Sequence, residues 1–403
     1  MIFNTNKFIA KHITKRRKSL FETDIKANEK ELKRRINGKS ILVIGGAGTI
    51  GSSFIRAILR FKPKRLYVVD TNENGLTELT RDLRSTVGLN VPKDYKTYPI
   101  NFGDKVFEKI LKNEGPFEIV ANFAAHKHVR SEKDHYSIEA MIDNNVLKAK
   151  KLLDLLVEVR PERFFCVSTD KAANPVNVMG ASKKLMEEVI MAYSRKLPIS
   201  TARFANVAFS NGSLLFGFIE RMMKGQPLSA PSDVKRYFVS PEESGQICML
   251  ACVMGESGDI FFPKLKESQM MTFSKIAEDF LAAYGLKADK CKTEKIAKEK
   301  AANRTGRSKK YPVFFFKSNT SGEKQYEEFF TEKEEVDVQK FEQLGVIKNA
   351  PKPDLKDIEK MFRKLNKIFR KEDLTKEDII TSLNNLLPNF KHIETGKSLD
   401  QKM

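Results

Sequence analysis

The chain has 403 residues, 41% of them hydrophobic, and a formal charge of +20 at neutral pH, so it holds enough apolar content for one large core or two modest ones and too much for a disordered chain. No apolar run is long enough to span a bilayer, and the N-terminus has no apolar stretch ending in a small-residue cleavage site, which argues against a membrane span and a secretory leader. The charge is concentrated: residues 1 to 38 hold eleven Lys and Arg against four acids, and residues 287 to 310 hold ten against three, with no interleaved aromatics to stack on bases, so nucleic acid is not an expected partner.

In chain order, the first 38 residues read as a basic helical extension in which Ile2, Phe3, Phe8, Ile9 and Ile13 share an apolar face. Docking on its own subunit is the expectation, with weak association to an anionic membrane surface as the alternative. Next, "KSILVIGGAGTIGSSFIRAILRF" reads as a buried strand, a glycine turn and an amphipathic helix, and "RLYVVD" as a second strand ending at Asp70. "EIVANFAAH" and "RFFCVST" are further apolar strands, separated by the helical pattern "SIEAMIDNNVLKAKKLLDLLVEV". Strands alternating with helices predict an α/β fold, a Rossmann-type doubly wound parallel sheet. The expected organisation is a dinucleotide-binding domain over residues 39 to 208, a smaller substrate-binding part over 209 to 350, and a helical extension over 351 to 403. The basic segment at 287 to 310 reads as a lysine-rich loop with a solvated helix face. Four cysteines, Cys166, Cys248, Cys252 and Cys291, lack metal-ligand spacing, so reduced thiols, a cytoplasmic location and no metal are expected.

Gly45, Gly48 and Gly51 lie directly between the first strand and its helix, and Asp70 follows 19 residues after Gly51. Glycines at this spacing let the backbone turn tightly and approach a pyrophosphate, while the helix N-terminus faces the phosphates and the carboxylate accepts from a ribose. Asp70 would repel a 2′-phosphate, so NAD is expected over NADP. Thr49, Ile50, Asp104, Ala124, Ala125 and Lys183 complete the predicted cofactor contacts.

"GGAGTIGS", "FAAHKHV", "DNNVLKAKKLL", "VSTDKAANPVNVMGASKKLME", "ARFANVAFSNGSLLFGF" and "SGEKQYEE" together resemble the extended short-chain dehydrogenase/reductase branch that contains UDP-N-acetylglucosamine 4,6-dehydratases. The resemblance covers residues 39 to 346. It implies a nucleotide-sugar substrate, tightly bound NAD that is recycled in each turnover, a role in polysaccharide biosynthesis, and a homo-oligomer. Where many relatives carry a catalytic tyrosine this chain has Met179, as do other family members regarded as active. The resemblance assigns Asp170 as acid for the hydroxyl leaving sugar carbon 6 and Lys171 as base at carbon 5. Thr169 stands in for the tyrosine at the carbon 4 hydroxyl, and Lys183 lies one helical turn from Met179. Lys171 would need to be partly neutral, through burial or the nearby charge of Lys183. Asn206, Ser213, Arg236 and Glu323 fall where relatives hold the nucleotide, and Lys127 and His128 border the same cleft. Thr320 and Ser321 replace the arginine-proline that relatives commonly carry before "GEK". The alternatives are a nucleotide-sugar epimerase, which needs no acid and base for elimination, and a non-catalytic dinucleotide-binding scaffold.

Overall fold

The computed structural model describes residues 3 to 396 apart from positions 320, 323 and 325. Its centre is a nine-stranded sheet. The strands are β1 (Ser40–Ile44), β2 (Arg65–Val69), β3 (Asp94–Tyr98), β4 (Ile119–Asn122), β5 (Arg163–Val167), β6 (Ile199–Ala202), β7 (Asp259–Pro263), β8 (Val336–Asp337) and β9 (Leu344–Ile347). Their spatial order is β3-β2-β1-β4-β5-β6-β7-β9-β8. Pairing is parallel from β3 through β7, and β9 and β8 close one edge antiparallel. The order reverses between β1 and β4, which opens a crevice at the strand ends where open α/β sheets take ligands.

The apolar runs explain the depth of the sheet. Every residue of β1, SILVI, is buried, so both faces of the sheet are covered. Helix α1 (Thr49–Leu59) packs against α3 (Pro241–Met254), and α2 (Val178–Tyr193) packs against Lys148–Val159 and against the C-terminal helix Leu355–Ile368.

A second core gathers Phe209, Phe218, Phe280, Tyr311 and Val313. The basic segment is more ordered than a loop: Lys287–Lys290 and Lys310–Phe316 pair in parallel, with helix Glu294–Ala302 between them, and Leu228–Pro231 completes a three-stranded sheet. Lysines on the helix face water, so its charge hid a crossover that only pairing with a distant strand reveals. Phe8, Ile9 and Ile13 of the N-terminal segment are buried in this second core, and Phe3 stacks on Tyr284. The segment therefore docks on its own subunit; Ile2 lies outside the described residues.

Candidate active site

The glycine turn is shaped by contact as well as by torsion. Gly45 has φ +74°, and a Cβ there would lie 2.4 Å from the Ala124 backbone nitrogen. One on Gly51 would lie 2.3 Å from the Gly45 carbonyl oxygen. Gly48 caps α1 without a side-chain hydrogen bond, so the first-turn amides are left to an anion. The Asp70 carboxylate accepts the amides of Ala47 (3.0 Å) and Asn72 (2.9 Å), bracing the turn from the end of β2. Around these atoms lies a cavity of about 340 Å³ that brings together Gly45, Gly48, Thr49, Ile50, Gly51, Asp70, Ala124, Ala125 and Lys127.

Two expected cofactor contacts do not line it. Asp104 accepts the Asn101 amide (3.1 Å) and stands at the start of the helix Lys105–Asn113, shaping a loop whose Asn101 and Phe102 line the cavity instead. The lining pair lies in the loop after β3, which ends at Tyr98, a position the sequence marks only by its place. Lys183 is buried and donates to the Val167 carbonyl at 2.9 Å, one turn from Met179, which is packed in the main core.

At the end of β5, one carboxylate oxygen organises three donors. Asp170 Oδ1 accepts from Thr169 Oγ1 at 2.8 Å, from the Lys171 amide at 2.9 Å and from Lys171 Nζ at 3.1 Å. A second carboxylate, which the sequence reading passed over, completes the set: Glu327 Oε1 lies 3.7 Å from Lys171 Nζ and 3.9 Å from Arg236 Nη2. Asp170, Glu327 and Arg236 are all at most 5% exposed. Burial pushes the Glu327 carboxyl up, an effect the Lys171 ammonium partly offsets. Burial alone would lower the Lys171 pKa, but the Asp170 and Glu327 charges outweigh it and the net direction is up. The expected neutral Lys171 is thus not its resting state: Lys183 is turned to a carbonyl, and the dominant neighbours are anions.

Glu327 belongs to "SGEKQYEE", the motif in which Glu323 was singled out; Glu323 and Thr320 lie outside the described residues. Two tethers carry this motif to the site. Asn177 Nδ2 donates to the Gly322 carbonyl at 2.7 Å, while its Oδ1 caps α2 by accepting the Gly180 amide at 2.7 Å. Arg203, fully buried at the end of β6, grips Glu187 of α2 and Glu334 with two hydrogen bonds each, and donates to the Phe329 carbonyl.

The remaining predicted residues divide. The Asn206 Nδ2 is buried with no hydrogen-bond partner among the described residues, a donor whose desolvation a ligand would offset. Ser213 uses its hydroxyl to cap the helix Leu214–Met223. Lys127 Nζ donates to the Asn211 carbonyl at 3.1 Å, and burial lowers its pKa. His128 sits against Gly212, and burial, aided by the Lys127 charge, pushes its imidazole down.

Comparison with known proteins bears on the family and the fold. A family model described as polysaccharide biosynthesis protein matches residues 41–349. The uncharacterized membrane protein MJ1061 of Methanocaldococcus jannaschii is 29% identical over 77% of this chain and 85% of its own; here, no described helix is long and apolar enough to cross a membrane. The capsular polysaccharide biosynthesis protein CapD of Staphylococcus aureus is 30% identical over 57% of this chain but only 38% of its own length. The UDP-glucose 4-epimerase of Rickettsia canadensis is 29% identical over 61% of this chain and 72% of its own. Among solved structures, Pen from Bacillus thuringiensis superposes with a TM-score of 0.62 at 19% identity, covering 78% of this chain and 90% of that one. DesIV of Streptomyces venezuelae, a dTDP-glucose 4,6-dehydratase solved with NAD, superposes with a TM-score of 0.54 at 19% identity, covering 72% and 88%. With a mostly parallel Rossmann-type sheet and more than half its length matched, the chain belongs to the polysaccharide biosynthesis protein family.

Proposed function

We propose that the chain is an NAD-dependent nucleotide-sugar 4,6-dehydratase that converts a UDP-N-acetylhexosamine, with UDP-N-acetylglucosamine the preferred candidate, to its 4-keto-6-deoxy product. The observation that carries this reading is the hydrogen-bonded set of Thr169, Asp170 and Lys171 at the end of β5. The dinucleotide fits what the residues present: two positions where a Cβ would strike backbone, an uncapped helix N-terminus and a carboxylate at the second strand end. Gly45, Gly48, Thr49 and Gly51 would hold its pyrophosphate and Asp70 its ribose, which disfavours an added 2′-phosphate. When bound, NAD supplies a reversible store for the electrons taken from sugar carbon 4.

The side chains do the proton work. Thr169 takes the proton of the carbon 4 hydroxyl and passes its own to Asp170 along the 2.8 Å contact. With carbon 4 oxidised, the proton at carbon 5 becomes acidic and Lys171 removes it, while Asp170 protonates the hydroxyl departing from carbon 6 as water. Each elimination leaves Lys171 protonated and Asp170 ionised. As carbon 6 is reduced, Lys171 returns its proton to carbon 5, which leaves Lys171 an amine and Asp170 free to accept the next carbon 4 proton through Thr169. Arg236 and the unpaired amide of Asn206 would receive the nucleotide. A 4-epimerase, the activity named for one relative, needs neither a base at carbon 5 nor an acid for a hydroxyl leaving carbon 6.

The test is substitution. Lys171→Ala and Asp170→Asn should each lower turnover about 100-fold to 10,000-fold, the usual contribution of a positioned acid or base, with cofactor still bound. Near wild-type rates from both would remove the mechanism.

A further inference from the structure

A second cavity, about 760 Å³, is larger than the dinucleotide cleft and borders it at one residue, Thr49. Its walls are the N-terminal segment, the outer side of α1 and the start of α3, and the first of these lies outside the family-matched residues. Its volume falls in the range that takes small molecules, roughly 300 to 1,000 Å³.

The charge of the walls is uneven. Arg16, Arg17 and Lys18 line one side and Arg56 and Arg60 another, against Glu242 and Glu243. Arg16 is engaged by Glu243 through two contacts of 2.8 Å, and Arg56 is paired to Asp82, outside the cavity. The guanidiniums of Arg17 and Arg60, both exposed, make no hydrogen bond or ion pair with any described residue. Two guanidiniums facing one space repel each other, and the planar fork of each matches phosphate oxygens. Ser52 and Ser53 both donate to the Thr49 carbonyl (3.1 and 2.7 Å), which leaves their oxygens able to accept. Phe209 borders the same space with φ +56°, a conformation that costs energy for a non-glycine residue and persists only where the surroundings hold it.

We propose that this cavity binds a phosphate-bearing ligand, with the phosphate held between Arg17 and Arg60. Thr49 lines both cavities, and its hydroxyl accepts the Asn211 amide at 2.9 Å while the Asn211 carbonyl receives Lys127 Nζ. Occupancy therefore alters the grip on the dinucleotide, and dinucleotide binding alters affinity here by the same factor. The site is independent of which reaction the sugar undergoes.

The experiment is equilibrium binding to the full chain saturated with NAD, using ADP as the soluble probe and phosphatidylglycerol vesicles as the lipid probe. ADP should bind, and Arg17→Ala and Arg60→Ala should each weaken it about tenfold or more, while Lys64→Ala, at an exposed residue that lines neither cavity, leaves it unchanged. Both arginines are exposed and unpaired, so the variants should keep the wild-type melting temperature, which is measured alongside. Vesicle binding with the same arginine dependence, and no ADP binding, would identify a lipid headgroup as the source of the phosphate. Binding of either probe that ignores both arginines, or binding of neither, overturns the proposal.

Discussion

At the residue scale, the chemistry rests on how two carboxylates share one ammonium. Asp170 and Glu327 together hold the Lys171 pKa up, so removing one should release it. Glu327→Gln keeps the shape and takes away a charge 3.7 Å from Lys171 Nζ. The amine is the active form of Lys171, so a lower lysine pKa should move the rising limb of kcat/KM to lower pH. A profile unmoved by the substitution, or moved to higher pH, would show that Glu327 does not act on Lys171. Legibility was uneven at this scale. Thr169, Asp170 and Lys171 are adjacent in sequence and were readable as a set, whereas Glu327 reaches them across 156 positions of chain, and nothing local distinguishes it from Glu323 or Glu328. Asp104 differs for the opposite reason: a carboxylate can accept from a cofactor, and here it accepts an amide of its own loop.

At the scale of elements, the site depends on a clasp between the sheet, α2 and the chain leading to β8. Burial pushes the Glu187 carboxyl up, but the Arg203 guanidinium overrides this and holds it below the usual carboxylate range. A depressed folded pKa means that this pair stabilises the fold above the ordinary carboxylate pKa and that the contribution is lost as pH falls through the lowered value. Arg203→Met leaves Glu187 and Glu334 facing an apolar chain, and breaking a buried pair from one side costs about 3 to 5 kcal/mol. The expected result is a marked drop in melting temperature at neutral pH. A variant that melts with the wild type would mean that the clasp contributes little. The strand–turn–helix unit around Gly45 was legible because its periodicity and its glycines are local. The clasp was not, because it joins residues from three separate stretches of the chain.

At the scale of the whole molecule, both terminal extensions are built into the fold. Helix Leu355–Ile368 packs on α2, the helix that carries Met179 and Lys183. The N-terminal segment places Phe8, Ile9 and Ile13 in the second core, and burying side chains of this size contributes about 1.5 to 3 kcal/mol each. Deleting residues 1 to 21 should therefore lower the melting temperature, and unchanged melting would contradict the docking seen here. The apolar spacing of this segment showed that it has a face to bury, but not against what, because its partners Phe209 and Phe280 lie far along the chain.

The most direct measurement is the mass of the sugar nucleotide after incubation of the purified protein with UDP-N-acetylglucosamine and no added reductant. The acid and base at the end of β5 predict a product lighter by one water, formed without net consumption of NAD. A product of unchanged mass but inverted at carbon 4, or a substrate recovered intact, would contradict the dehydratase account.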